Sequence, residues 1–194
     1  ILDGAAGSDT LKGGAGDDVY RTSDGSDVII TGGGSDTLEV VEGYTLEGAV
    51  LNARNGSLTI SILDEDANTH TVVVESHNVA PLATLRADGV DYSLSVSLAN
   101  GVYTAATDLP TLISGTAADD AIVGSGENDI LFGNAGDDEI SGGGGDDTVV
   151  VSDGDDVVTY GDGVDRVVIH ADYQIKNTES VSGGLKLNLT KVAD

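Results

Sequence analysis

Cysteine, methionine and tryptophan are absent from this 194-residue chain, and it has only 2 prolines and 1 phenylalanine. Without cysteine there can be neither disulfides nor thiolate metal sites, which leaves oxygen ligands. Positive charge is scarce as well: 8 Lys plus Arg face 34 Asp plus Glu, a formal net charge of −26. That balance excludes nucleic acid and anionic membrane surfaces as partners. The natural partner is a cation. No stretch of 18 apolar residues occurs, so the segment is not expected to insert directly into a membrane. The chain opens at Ile1, inside a repeat and without a methionine, and is expected to be a slice of a longer protein. Its 39% hydrophobic residues distinguish it from a disordered acidic tail.

What is present is a nine-residue period. Read from Gly4, the chain runs GAAGSDTLK, GGAGDDVYR, TSDGSDVII and TGGGSDTLE, ending at Glu39. The period returns at Gly115 as GTAADDAIV, GSGENDILF, GNAGDDEIS, GGGGDDTVV, VSDGDDVVT and YGDGVDRVV. The sixth position is aspartate throughout: Asp9, Asp18, Asp27, Asp36, Asp120, Asp129, Asp138, Asp147, Asp156 and Asp165. The eighth is apolar throughout: Leu11, Tyr20, Ile29 and Leu38, then Ile122, Leu131, Ile140, Val149, Val158 and Val167. Ordinary hairpin turns rich in Asp-Gly would not keep this frame. Glycine permits the φ > 0 turns that aim carbonyl oxygens inward, and aspartate is a short, hard ligand suited to Ca²⁺.

The repeats resemble G-G-x-G-x-D-x-U-x, the nonapeptide of the repeats-in-toxin (RTX) family, over about half the chain. The resemblance implies an all-β fold of parallel β-roll blocks with two nonapeptides per coil. Each repeat would supply a six-residue turn and a three-residue strand. It also implies calcium between turns stacked on the same side. The ligands would be the ten aspartates together with main-chain oxygens of the turns at Gly14, Gly16, Gly25, Gly34, Gly133, Gly136, Gly142, Gly145, Gly154 and Gly163. Departures from the pattern are Ala118 and Glu127 at the fourth position, and Thr22, Thr31, Val151 and Tyr160 at the first. RTX proteins are exported unfolded by type I secretion and fold in external calcium. The resemblance therefore implies a secreted or bacterial cell-surface parent, whether toxin or adhesin, that meets the type I secretion machinery. The alternative it leaves open is an accessory or ligand-binding module of a secreted RTX enzyme or adhesin.

Between the blocks the period breaks. Four segments read as half-buried antiparallel strands: TLEVV leading into Tyr44, SLTISIL at 57–63, THTVVVE at 69–75 and YSLSVSL at 92–98. Turn signals fall at Asn55-Gly56, Asp88-Gly89 and Asn100-Gly101. The expected organisation is a β-roll block at 1–39, an antiparallel β linker or cap at 40–112, a second roll block at 113–168 and the start of a second linker at 169–194. A longer repeat supports it, because DTLEVVEGYTLEGAVLNARNGSLTI from Asp36 aligns with DRVVIHADYQIKNTESVSGGLKLNL from Asp165, 129 residues on.

Turns 18 residues apart in a two-repeat coil give four columns: Asp9 and Asp27; Asp18 and Asp36; Asp120, Asp138 and Asp156; Asp129, Asp147 and Asp165. At a coil spacing of about 4.8 Å, bare neighbouring carboxylates repel by about 3 kcal/mol at an effective dielectric of 20. Calcium reverses that sign, and one ion per adjacent pair gives about six Ca²⁺ ions. No enzyme is expected. Each Asp-Asp pair, such as Asp17-Asp18 and Asp146-Asp147, lies within the repeat frame, and His70, His77 and His170 lack metal-ligand spacing and are expected to be structural or surface residues.

Overall fold

A computed structural model describes residues 1–51, 57–75, 82–94, 96–99, 102–105, 109–170, 172–181 and 184–191. It divides into two compact units, Ile1–Leu94 and Ser95–Asp194. Among the described residues all regular structure is β-strand.

The first unit contains β1 (Leu2–Asp3), β2 (Thr10–Lys12), β3 (Val19–Thr22), β4 (Ser26–Ile30) and β5 (Asp36–Val40) from the repeats. After them come β6 (Thr45–Leu51), β7 (Leu58–Leu63), β8 (Thr69–Glu75), β9 (Leu82–Ala87) and β10 (Val90–Ser93). Successive repeats alternate between two sheets, ordered β1-β3-β5-β9-β10 and β2-β4-β8-β7-β6. Within a sheet the repeats pair in parallel at an offset of 18, as in Thr10↔Val28 and Val19↔Thr37. Two nonapeptides therefore make one coil. Each repeat strand, two to five residues long, is flanked by Gly/Asp turns that cannot extend it.

Strands outside the repeats continue both sheets. Parallel pairing joins β8 to β4 and β9 to β5, and antiparallel pairing adds β7, β6 and β10. The polar/apolar alternation read at 57–63 is realised in β7, where Leu58, Ile60 and Ile62 are buried. At the β9–β10 hairpin Asp88 (φ 52°) and Gly89 (φ 77°) both take left-handed backbone, as a type I′ turn requires. The other two turn signals, Asn55-Gly56 and Asn100-Gly101, lie outside the described residues, as does His77.

The second unit contains β11 (Val96–Ala99), β12 (Val102–Ala105), β13 (Leu112–Ser114), β14 (Ala121–Val123), β15 (Ile130–Asn134) and β16 (Glu139–Ser141). It continues with β17 (Thr148–Val151), β18 (Asp155–Thr159), β19 (Arg166–Ile169), β20 (Tyr173–Val181) and β21 (Gly184–Lys191). Its sheets run β11-β12-β14-β16-β18-β21-β20 and β13-β15-β17-β19. The repeat strands again pair in parallel 18 residues apart, as in Ile122↔Ile140 and Leu131↔Val149. Residues 40–112, read from sequence as one segment, are divided between the two units. YSLSVSL, expected to be a single strand, is split: Tyr92 and Ser93 end β10, and Val96–Leu98 belong to β11 of the second unit. The long repeat corresponds to two antiparallel hairpins, β6–β7 and β20–β21. They are joined differently, since β7 reaches β4 through β8 whereas β21 pairs with β18 itself.

The apolar column forms the core of each roll. Leu11, Tyr20, Ile29 and Leu38 are buried in the first unit, and Ile122, Leu131, Ile140, Val149 and Val158 in the second. Val167, in the last coil, is only half-buried. One large side chain per repeat makes a thin core, so the turns decide how the coils stack.

Candidate metal centre

The turn residues bring main chain from adjacent coils into close contact. At Gly154 (φ 133°) a Cβ would lie 2.0 Å from the carbonyl oxygen of Gly136, one coil earlier, and at Gly25 (φ 107°) it would lie 1.8 Å from that of Gly7. Only glycine combines the left-handed backbone with this approach. Ala118 and Glu127, the two fourth-position exceptions, open their stacks with no repeat turn 18 residues before them, and neither has a positive φ. The carbonyls of Gly14 and Gly25 already accept main-chain N–H groups, from Gly33 at 2.9 Å and Thr71 at 3.1 Å.

The aspartates stack in the four columns. In each column the later carboxylate reaches back, and its Oδ1 accepts the main-chain N–H of the aspartate one coil earlier. Asp27 accepts from Asp9 at 3.0 Å and Asp36 from Asp18 at 2.9 Å. Asp138 accepts from Asp120 at 2.9 Å, Asp147 from Asp129 at 2.9 Å, Asp156 from Asp138 at 3.1 Å and Asp165 from Asp147 at 3.2 Å. This ladder ties every adjacent pair and reads as a direct record of the 18-residue coil.

The second oxygen is where the chemistry lies. Oδ2 of Asp9, Asp18, Asp138, Asp147 and Asp156 is buried with no hydrogen-bond partner. In the repeats of Asp138 and Asp147 the first-position glycine leaves the space it occupies: a Cβ on Gly133 would meet Asp138 Oδ2 at 2.6 Å, and one on Gly142 would meet Asp147 Oδ2 at 2.0 Å. Burial, joined by the neighbouring carboxylates and only partly offset by the ladder N–H, pushes the Asp138 and Asp156 carboxyls up to about 7 and Asp147 up to about 6. Burial also raises Asp129. A desolvated carboxylate oxygen without a donor calls for a cation, and hard oxygen with nearby carbonyls suits calcium. The donor set fits the metal.

Three turns satisfy Oδ2 from within their own repeat, which the sequence reading missed. The Thr22 hydroxyl, in place of the usual first-position glycine, donates to Asp27 Oδ2 at 2.5 Å. The Thr116 N–H (2.6 Å) and hydroxyl (3.0 Å) donate to Asp120 Oδ2, and the Ser125 N–H (2.6 Å) and hydroxyl (3.1 Å) to Asp129 Oδ2. A hydroxyl at the first or second position was the available signal. Even so, each of the six adjacent pairs retains at least one unpartnered Oδ2.

His70 meets a nearby carboxylate, Asp64, and one far from it in sequence, Asp24. Its Nε2 lies 3.1 Å from Asp64 Oδ2 and 3.9 Å from Asp24 Oδ1, beside Tyr44, whose hydroxyl donates to Asp24. This hydrogen bond holds the Tyr44 phenol up to about 12. The three groups could surround an ion. However, Gly25 N–H donates to His70 Nδ1 at 2.8 Å, which puts the proton of the neutral ring on Nε2, facing the carboxylates. A metal at Nε2 would need the opposite tautomer. The arrangement ties β8 to the turn before β4 and is a structural contact.

The model of the RTX calcium-binding nonapeptide repeat matches in four copies, across residues 1–28, 114–149 and 140–167. No curated protein matches the chain. Among solved structures, the extracellular lipase LipA from Serratia marcescens aligns at 16% identity over 92% of this chain and 34% of the lipase chain, with a TM-score of 0.24. The chain thus spans about a third of that lipase's length.

Proposed function

Because the repeat blocks of this chain are RTX calcium-binding nonapeptide repeats, a structural calcium-binding family and not a catalytic one, we propose that the segment is a calcium-dependent folding module of a larger secreted or cell-surface protein. The observation that carries this reading is the buried, unpartnered Oδ2 present in every adjacent pair of the aspartate columns. In the proposed sites Asp9 with Asp27, Asp18 with Asp36, Asp120 with Asp138, Asp138 with Asp156, Asp129 with Asp147, and Asp147 with Asp165 each share one ion, about six in all. Main-chain oxygens of the glycine-rich turns complete the ligand set. Bound Ca²⁺ supplies positive charge that cancels the repulsion within each column.

The reading extends to biology through charge. A chain with a net charge of −26 and stacked bare carboxylates is poorly disposed to fold where calcium is scarce, and disposed to fold where it is plentiful. That fits passage of the parent through the type I secretion machinery and folding outside the cell. The roll blocks at 1–39 and 113–168, with the intervening and following β segments, are proposed as consecutive parts of such a parent. The test is far-ultraviolet circular dichroism of the segment in EDTA and in millimolar Ca²⁺. A gain of β signal on adding calcium is expected, and an unchanged spectrum would sink the reading.

A further inference from the structure

The fifth position of the repeat, immediately before the ligand aspartate, carries a second ladder that runs the opposite way. Here the side chain of the earlier repeat accepts the main-chain N–H of the residue one coil later. Asp119 Oδ1 accepts from Asp137 N–H at 2.9 Å, Asn128 Oδ1 from Asp146 at 2.8 Å, Asp137 Oδ1 from Asp155 at 2.9 Å and Asp146 Oδ1 from Val164 at 2.8 Å. In the first unit Asp17 Oδ1 accepts from Ser35 N–H at 2.7 Å, and Ser8 Oγ from Ser26 at 3.3 Å. All six adjacent pairs at this position are bonded. These bonds are exposed, whereas the ladder of ligand aspartates is buried or half-buried.

The residue types follow the bonding. Each residue with a repeat stacked after it, Ser8, Asp17, Asp119, Asn128, Asp137 and Asp146, has a side-chain oxygen acceptor. The one apolar residue at this position, Val164, is in the last repeat, where only its main-chain N–H is used. Asparagine and serine serve as well as aspartate, so the requirement is an acceptor and not a charge. The site aspartate follows by one residue, so fixing the N–H at position five fixes the spacing at which the next carboxylate meets its neighbour.

We propose that the fifth-position side chains are positioning residues: a metal-independent outer ladder that holds adjacent turns at the register the calcium sites need. Asp137 acts through its Oδ1 acceptor and not as a ligand. This rests on the calcium reading above, and the test separates the two. Calcium-induced folding is followed by circular dichroism for the wild-type segment and for Asp137→Ala, Asp137→Asn and Asn128→Asp, with hydrogen exchange at the Asp155 amide as a second readout. Asp137→Ala should lower the folding equilibrium in calcium by roughly two- to tenfold, the worth of one hydrogen bond to a side chain, which raises the calcium midpoint by a smaller factor because several ions bind together, and should speed exchange at Asp155. Asp137→Asn, which keeps the acceptor and loses the charge, should stay within about twofold of wild type, as should Asn128→Asp. If Asp137→Ala does not fold at all, near-wild-type behaviour of Asp137→Asn still upholds the proposal. An asparagine variant as impaired as the alanine one overturns it, because charge would then be what matters. So does an unchanged midpoint for Asp137→Ala beside a normal wild-type transition. Absence of any transition in the wild type overturns the calcium reading, and this inference with it.

Discussion

Asp138 and Asp165 occupy equivalent repeat positions but different places in their columns, and replacing each by alanine separates the stacking order from mere aspartate count. Asp138 stands between Asp120 and Asp156, is 2% exposed, accepts the Asp120 N–H at 2.9 Å through Oδ1 and leaves Oδ2 buried and unpartnered. Asp165 ends its column, is half-buried and accepts only the Asp147 N–H, at 3.2 Å. Each substitution removes one ladder bond, so that loss cancels in the comparison. What differs is the number of proposed ion sites damaged, two for Asp138 and one for Asp165. At free calcium tenfold above the dissociation constant, one site contributes about 1.4 kcal/mol. Asp138→Ala should therefore lose about 1.4 kcal/mol more of calcium-dependent folding free energy, about a tenfold difference in the folding equilibrium. Calcium titrations followed by circular dichroism should place the Asp138→Ala midpoint clearly above that of Asp165→Ala. Equal midpoints, or a larger effect at Asp165, would refute the shared-ion reading of the columns.

Magnesium at equal concentration should produce little of the calcium-induced transition, because it demands tighter octahedral geometry and gives up water reluctantly. A full magnesium transition, seen by the same spectroscopy, would argue against carbonyl-rich sites. The raised carboxyls give a pH dependence in EDTA. Asp138 and Asp156 at about 7 and Asp147 at about 6 in the fold compare with about 3.9 in an unfolded chain. Protonated, they do not oppose folding, so stability without metal is fullest below about pH 4 and falls as pH rises through 6 to 7. Acidifying a calcium-free sample from pH 8 to 4.5 should therefore increase β signal, and a decrease would contradict the burial of these groups. Gly154→Ala should destabilise the calcium-loaded roll by about 2 kcal/mol or more, since a strained backbone alone costs about 1 to 3 and its Cβ would meet the Gly136 carbonyl at 2.0 Å. Gly126→Ala, with nothing within 4 Å of its Cβ, should change the melting temperature little.

The nine-residue frame was enough, by itself, to mark the recurring aspartates and the apolar core residues, and the resemblance to RTX repeats supplied the parallel coil of two repeats that sorts the aspartates into columns. The reason is that every repeat meets an identical neighbour, so local periodicity and tertiary contact carry the same information. Val167 departs from its column because its strand, β19, is the edge of its sheet, whereas β9 and β21 continue the sheets beyond Leu38 and Val158. The non-repeating strands were legible as strands but not in their partners. The sequence around Leu58–Leu63 shows alternation, yet nothing in it specifies that β8 will pair in parallel with β4, or that β10 and β11 will fall in different units. Those choices depend on which sheet edge is open when the chain returns, a contact between residues 45 apart in the case of Ser26 and Thr71. The same holds for His70, whose meeting with Asp24 is made by that pairing. Which aspartate oxygens lack donors was also a tertiary matter. Thr22, Thr116 and Ser125 satisfy their own aspartates because the folded turn places their donors within hydrogen-bond distance of Oδ2, whereas the glycines of other repeats leave that oxygen without a side-chain donor.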